Sequence, residues 1–164
     1  MKTGVEIEIN GVRFTDEVDA RTTLVDFLRD TANLKGTHVG CEHGVCGACS
    51  VLLEGDPIRA CLMFAAQADG SSVTTVEGLR DEDGSLGVLQ DSFWETHAMQ
   101  CGYCTPGMLI AAQALLADNP DPSEADIREA ISGNLCRCTG YVQIVDAVML
   151  AAARLRQQPE AGND

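Results

Sequence analysis

Eight cysteines fall into two groups of four, and their spacing is the most informative feature of the chain. Cys41, Cys46, Cys49 and Cys61 lie in GCEHGVCGACSVLLEGDPIRAC, a C-x4-C-x2-C run with a fourth cysteine after eleven intervening residues. Cys101, Cys104, Cys136 and Cys138 lie in MQCGYCTPG and NLCRCTGY, where a C-x2-C pair and a C-x-C pair are separated by thirty-one residues. Thiolates that converge in fours serve a soft, electron-hungry centre, either iron bridged by sulfide or zinc.

The interval of four in the first group selects between these. It is the ligand spacing of plant-type [2Fe–2S] ferredoxins, whereas zinc sites are usually built from paired C-x2-C elements. A loop that wraps a cluster also needs unusual backbone angles, and Gly40, Gly44 and Gly47 supply them, turning amides toward sulfur. Cys41-Glu42-His43 resembles half of a Rieske motif. The second half would need C-x2-H and reads C-x2-C, so His43 is expected to be a loop residue. His38 and His97 have no partner pattern and read as ordinary polar residues. No Gly-Lys-Ser/Thr follows the glycines, which excludes a P-loop.

The second group is less specific, and a four-cysteine zinc site stays open on spacing alone. Both of its pairs precede a predicted helix start. Thr105-Pro106 reads as a cap followed by proline in the first turn, and Thr139-Gly140 precedes the last helical run. Two helix N-termini with free amides would favour an anion, and an oxidised four-thiolate [2Fe–2S] centre carries about −2 by oxidation-state counting. Arg137 would screen part of that charge or remain solvated.

The elements that must hold these residues divide the chain in two. VEIEI at 5–9 alternates apolar and acidic, Asn10-Gly11 is a hairpin turn, and VRF continues as a second strand. Residues 22–30 place Leu24, Phe27 and Leu28 on one helical face behind a Thr cap. SVLL reads as a strand, EGDP as a turn and SVTTV as another strand. Residues 80–85, RDEDGS, are charged and turn-rich. Beyond them the pattern is helical: Leu86, Leu89 and Phe93; Met108, Leu109, Ala112, Leu115 and Leu116; Ile127, Ala130 and Ile131 after the cap Ser123 with Asp126; then Ile144, Val145, Val148, Met149, Ala152 and Leu155. The expected division is a ferredoxin-like domain at 1–78, a linker at 79–85, a helical domain at 86–156 and a tail at 157–164.

A net charge of −14 argues against nucleic acid and against an anionic membrane surface. MKTGVEIEIN has no apolar secretion signal, and no run of eighteen apolar residues exists to span a membrane. A cytoplasmic location is therefore expected, where cysteines serve metals more often than disulfides.

Taken together, GCEHGVCGAC, QCGYCTPG and GNLCRCTGY resemble the iron–sulfur subunit of the molybdenum hydroxylase, or xanthine oxidase, family over about residues 4–156, with all eight cysteines matching. The resemblance implies an α+β fold class: a β-grasp plant-type ferredoxin domain followed by an all-α four-helix-bundle [2Fe–2S] domain. It implies an electron-transfer subunit with two [2Fe–2S] clusters. The substrate site would lie elsewhere, on a large subunit carrying a molybdenum-pyranopterin, with FAD on a medium subunit, in a heterotrimer or dimer of heterotrimers. It places Cys138, and Gln100 with it, beside the pterin. The chain itself has no G-x-G-x-x-G fingerprint. Glu42-His43-Gly44-Val45 looks more like heterocycle, aldehyde and purine members than like aerobic carbon monoxide dehydrogenase, which is the alternative within the family. A zinc- or cluster-bound regulatory module is the alternative outside it.

Overall fold

The structure, a computed structural model, describes residues 1–157. Five strands form one mixed sheet in the order β2-β1-β5-β3-β4. Strand β1 (Lys2–Ile9) buries Val5, Ile7 and Ile9 on alternate positions, as its sequence pattern requires. It turns through Asn10 and Gly11, both at positive φ, into β2 (Val12–Asp19), with Ile9 paired to Val12. That is the two-residue turn whose twist matches the flanking strands. Helix α1 (Leu24–Asp26) is capped by Thr23, whose hydroxyl accepts from the Asp26 amide, and continues as a π-helical turn over Phe27–Thr31. Leu24, Phe27 and Leu28 are fully buried against the sheet.

Strand β3 (Ser50–Leu53) pairs antiparallel with β4 (Asp56–Arg59) and with β5 (Ser72–Thr74), which in turn runs parallel to β1. The parallel central pair closes the β-grasp. The turn expected at EGDP occupies only Glu54 and Gly55; Asp56 and Pro57 already belong to β4, an edge strand, where a residue without an amide proton is tolerated.

The second half contains α2 (Val88–Glu95), α3 (Thr105–Asp118), α4 (Glu124–Ala130) and α5 (Val142–Gln157) around a separate core that includes Phe93, Met108, Ile127, Ile131, Ile144 and Val148. Ser123 caps α4 and Asp126 reaches back to the Ser123 amide, as expected of the capping box. Leu86 stands outside α2 and is exposed, and Met149 and Leu155 on α5 are also exposed, so the inward stripes are narrower than expected. Gln157 ends α5; the rest of the expected tail, 158–164, lies outside the described residues. Among the described residues no helix is long and apolar enough to cross a membrane.

Candidate iron–sulfur centres

The first four thiols come from one loop and from the 3-10 turn Ala60–Leu62 that follows β4. The loop runs from Cys41 into β3 at Ser50 and holds Glu42, Gly44 and Gly47 at positive φ. A side chain at Gly44 would meet Leu62 at 2.4 Å, so the loop is pressed against the neighbour of the fourth thiol, Cys61. The Cys41 thiol feels Cys46, and the Cys49 thiol feels Cys61 and Cys46. The Cys46 amide donates to Cys41 Sγ at 3.4 Å, and this bond, with the His43 amide, brings the Cys41 thiol down to about 6. Burial does the opposite to Cys49, which is 2% exposed and is pushed up to about 11. His43 folds back onto the Cys41 carbonyl, as a loop residue would.

The second four thiols come from helix ends. Cys104 is the N-cap residue of α3, so Thr105 and Pro106 occupy the first turn, one position later than their sequence implied. The Thr105 hydroxyl therefore does not cap; it is buried with no hydrogen-bond partner, as is that of Thr37. Cys136 and Cys138 lie in the turn before α5. Cys138 Sγ is 3.6 Å from Cys101 Sγ, and the Cys104 thiol feels both Cys136 and Cys101. Burial pushes Cys104 up to about 12. Burial also acts upward on Cys136, but hydrogen bonds from the Thr139 hydroxyl and amide outweigh it and lower that thiol overall. Cys138 is raised by its contact with Cys101. Cys101, Cys138 and Arg137 are exposed. Gln100 Nε2 donates to the Cys138 carbonyl at 3.1 Å, joining the two residues that the sequence singled out near this edge.

The Cys101–Cys138 contact fits a two-iron centre. Such a cluster takes two thiolates at each iron, whereas a single zinc ion gathers four around one point. Both sets also line one cavity of about 230 Å³, with Cys41 and Cys46 from the first and Cys101, Cys104, Cys136 and Cys138 from the second.

A polar seam holds the two sites together, and sequence reasoning missed it. Asn134 is 2% exposed; its Nδ2 donates to the Gly47 carbonyl at 3.0 Å. The next amide, Leu135, donates to the Cys46 carbonyl at 2.9 Å. Arg59 on β4 donates to the Gly133 carbonyl at 2.8 Å and to Ser50 Oγ at 2.7 Å, and Ser50 Oγ donates to the Gly47 carbonyl. Only glycine fits at 107, because a Cβ there would stand 2.2 Å from the Gly47 carbonyl oxygen. On the outer side, His38 stacks on Tyr103 with ring centroids 4.8 Å apart, and its Nδ1 meets the Tyr103 carbonyl, while the Tyr103 hydroxyl donates to the Val39 carbonyl. His38, which read as an ordinary polar residue, is thus part of the seam.

Two sequence-family profiles match the chain: "2Fe-2S iron-sulfur cluster binding domain" over residues 7–75 and "[2Fe-2S] binding domain" over residues 75–149. The chain is 52% identical to the nicotine 6-hydroxylase small subunit of Paenarthrobacter nicotinovorans over 92% of its own length and 90% of that protein. It is 55% identical to the caffeine dehydrogenase subunit gamma of Pseudomonas sp. (strain CBB1), over 88% of its length and 87% of that subunit. Its structure is similar to a chain of quinoline 2-oxidoreductase from Pseudomonas putida 86, with a TM-score of 0.89 and 48% identity over 96% of this chain and 99% of that one. With two iron–sulfur profiles in tandem and near full-length similarity to such subunits, the chain belongs to the iron–sulfur subunit family of the molybdenum hydroxylases.

Proposed function

We propose that this chain is the electron-transfer subunit of a molybdenum-dependent hydroxylase or dehydrogenase acting on an N-heterocycle, an aldehyde or a purine-like compound. In this reading Cys41, Cys46, Cys49 and Cys61 hold one [2Fe–2S] cluster, and Cys101, Cys104, Cys136 and Cys138 hold the other. When bound, the clusters supply one-electron carriage between a molybdenum-pyranopterin on a large subunit and FAD on a medium subunit, the helical-domain centre standing nearer molybdenum. The chain's own residues present paired thiolates, donate hydrogen bonds to them and fix the two sites against each other. Gln100 and Cys138, hydrogen-bonded and exposed, are the residues we place beside the pterin. The boundaries 1–78, 79–85 and 86–156, a heterotrimer or dimer of heterotrimers and a cytoplasmic location complete the proposal.

The observation that carries it is the shared cavity, because thiols of both sets line one space and two one-electron centres would be neighbours there. The relatives named above favour an N-heterocycle, and a carbon monoxide dehydrogenase subunit is not favoured. The test is purification of the intact complex through this chain. Expected are a molybdenum-bearing large subunit, a flavin-bearing medium subunit and about four iron and four sulfide per copy of this chain. Stoichiometric zinc, iron near two, or the absence of a molybdenum subunit would overturn it.

A further inference from the structure

We propose that the Thr139 hydroxyl sets the reduction potential of the second centre by donating a hydrogen bond to Cys136 Sγ. The inference rests on the reading of Cys136 as a cluster ligand. Thr139 Oγ1 lies 3.1 Å from Cys136 Sγ, and the Thr139 amide lies 3.4 Å from the same sulfur. The direction of the hydroxyl bond follows from the sulfur, since a ligating thiolate has no hydrogen and can only accept. Thr139 Oγ1 accepts from the Tyr141 amide at 3.2 Å and gives its single hydrogen to the sulfur.

The turn is held in this shape from both sides. Tyr141 sits at a φ of 72°, a region that a bulky residue seldom occupies without support. Support comes from its phenol, which accepts from the Cys136 amide at 2.8 Å and donates to the Asn134 carbonyl at 3.3 Å. Thr139 is half-buried, so water competes only partly for the bond. Among the described residues no side-chain hydroxyl donates to Cys41, Cys46, Cys49 or Cys61; there the donors to Cys41 are backbone amides, that of Cys46 foremost. The hydroxyl therefore acts on one centre and not on the other.

The consequence is electrostatic. One added electron takes a four-thiolate [2Fe–2S] centre from about −2 to about −3, with no proton needed for balance. A hydrogen bond that draws density from one thiolate stabilises the more negative state and raises the potential. Thr139 is thus a positioning and tuning residue, acting through Cys136.

The test is a redox titration of the purified complex, with the two paramagnetic signals followed separately in the parent and in Thr139→Val, Thr139→Ala and Thr139→Ser. The second-centre signal is assigned by its loss in Cys101→Ala. Val and Ala should disfavour reduction of that centre by about tenfold, a fall of about 59 mV for a one-electron couple. Ser should keep the parent value, and the first centre should not move in any variant. An unchanged second centre in Val and Ala, an equal shift of both centres, or a shift in Ser as large as in Val would overturn the assignment. So would loss of the second centre from both Val and Ala, which would make the hydroxyl a requirement for holding the cluster. Failure of the underlying cluster reading is separate: it would appear in the parent as one signal only or as half the iron.

Discussion

The two cysteine sites meet the same chemical demand by opposite means. The first is almost wholly local: three thiols from nine consecutive residues, a loop bent by left-handed backbone at Glu42, Gly44 and Gly47, and a buried Cys49. The second gathers thiols from the starts of two helical segments, leaves Cys101 and Cys138 exposed, and takes its fine adjustment from a side-chain hydroxyl. A wrapped centre shields itself by backbone, whereas a centre at helix ends depends on whatever covers it. The difference is one of exposure: the first set buries Cys49, whereas the second leaves Cys101 and Cys138 open at the surface.

The largest effect should come from removing one site. Cys49→Ala should lower iron from about four to about two per chain and leave the second paramagnetic signal, while Cys104→Ala should do the reverse. Loss of both signals from either variant would show that the sites are not separate. Next is the seam. Asn134→Leu removes the bonds to the Gly47 carbonyl and to Arg59, both of which keep other partners, and should cost about 2 kcal/mol in denaturant unfolding, at about 1 kcal/mol for each hydrogen bond lost. An effect under about 0.5 kcal/mol would mean that the halves are held elsewhere.

Tyr103→Phe sharpens the comparison further, for it keeps the stacking on His38 and removes only the bond to the Val39 carbonyl. A loss of about 1 kcal/mol is expected, with both potentials unchanged, because that hydroxyl touches neither set of thiols. The smallest effect belongs to Asp126. The Ser123 hydroxyl and then its amide hold this carboxyl below its usual range. A carboxylate whose folded pKa is lowered adds stability above the unfolded value, near 3.8, and loses it as pH falls through the folded one. Asp126→Ala should therefore lower the midpoint temperature slightly at pH 7, and the gap from the parent should close on acidification. A gap that persisted at the lowest pH would place the cap's contribution elsewhere.

Cysteine spacing and the period of the apolar residues made the two halves and both thiol sets legible, because ligand geometry and amphipathic faces are written locally. Misreadings arose where a distant contact decides. Thr105-Pro106 has the composition of a cap, yet Cys104 takes that place. Asp56-Pro57 has the composition of a turn, yet the open edge of the sheet admits it as strand. Asn134 bonds to a carbonyl 87 positions away, and nothing in GNLC announces this. Thr139 was read as the residue before a helix; its donation to a sulfur three positions back could have been found from the tight C-R-C-T-G turn.

The seam has a further consequence for the segment between the halves. Residues 80–86 are exposed and are joined to one another by short turns, such as the Gly84 amide to the Asp81 carbonyl. With Asn134, Gly47, Gly107 and Arg59 fixing the geometry, the linker acts as a tether that sets an effective concentration of one half for the other. Doubling its length would cost only about 0.6 kcal/mol of closure entropy. Insertions near Glu82 should thus leave both centres where they are, and a chain cut there should behave as a two-piece complex held by the seam together with Val76 and Leu79, which pack on the helical core.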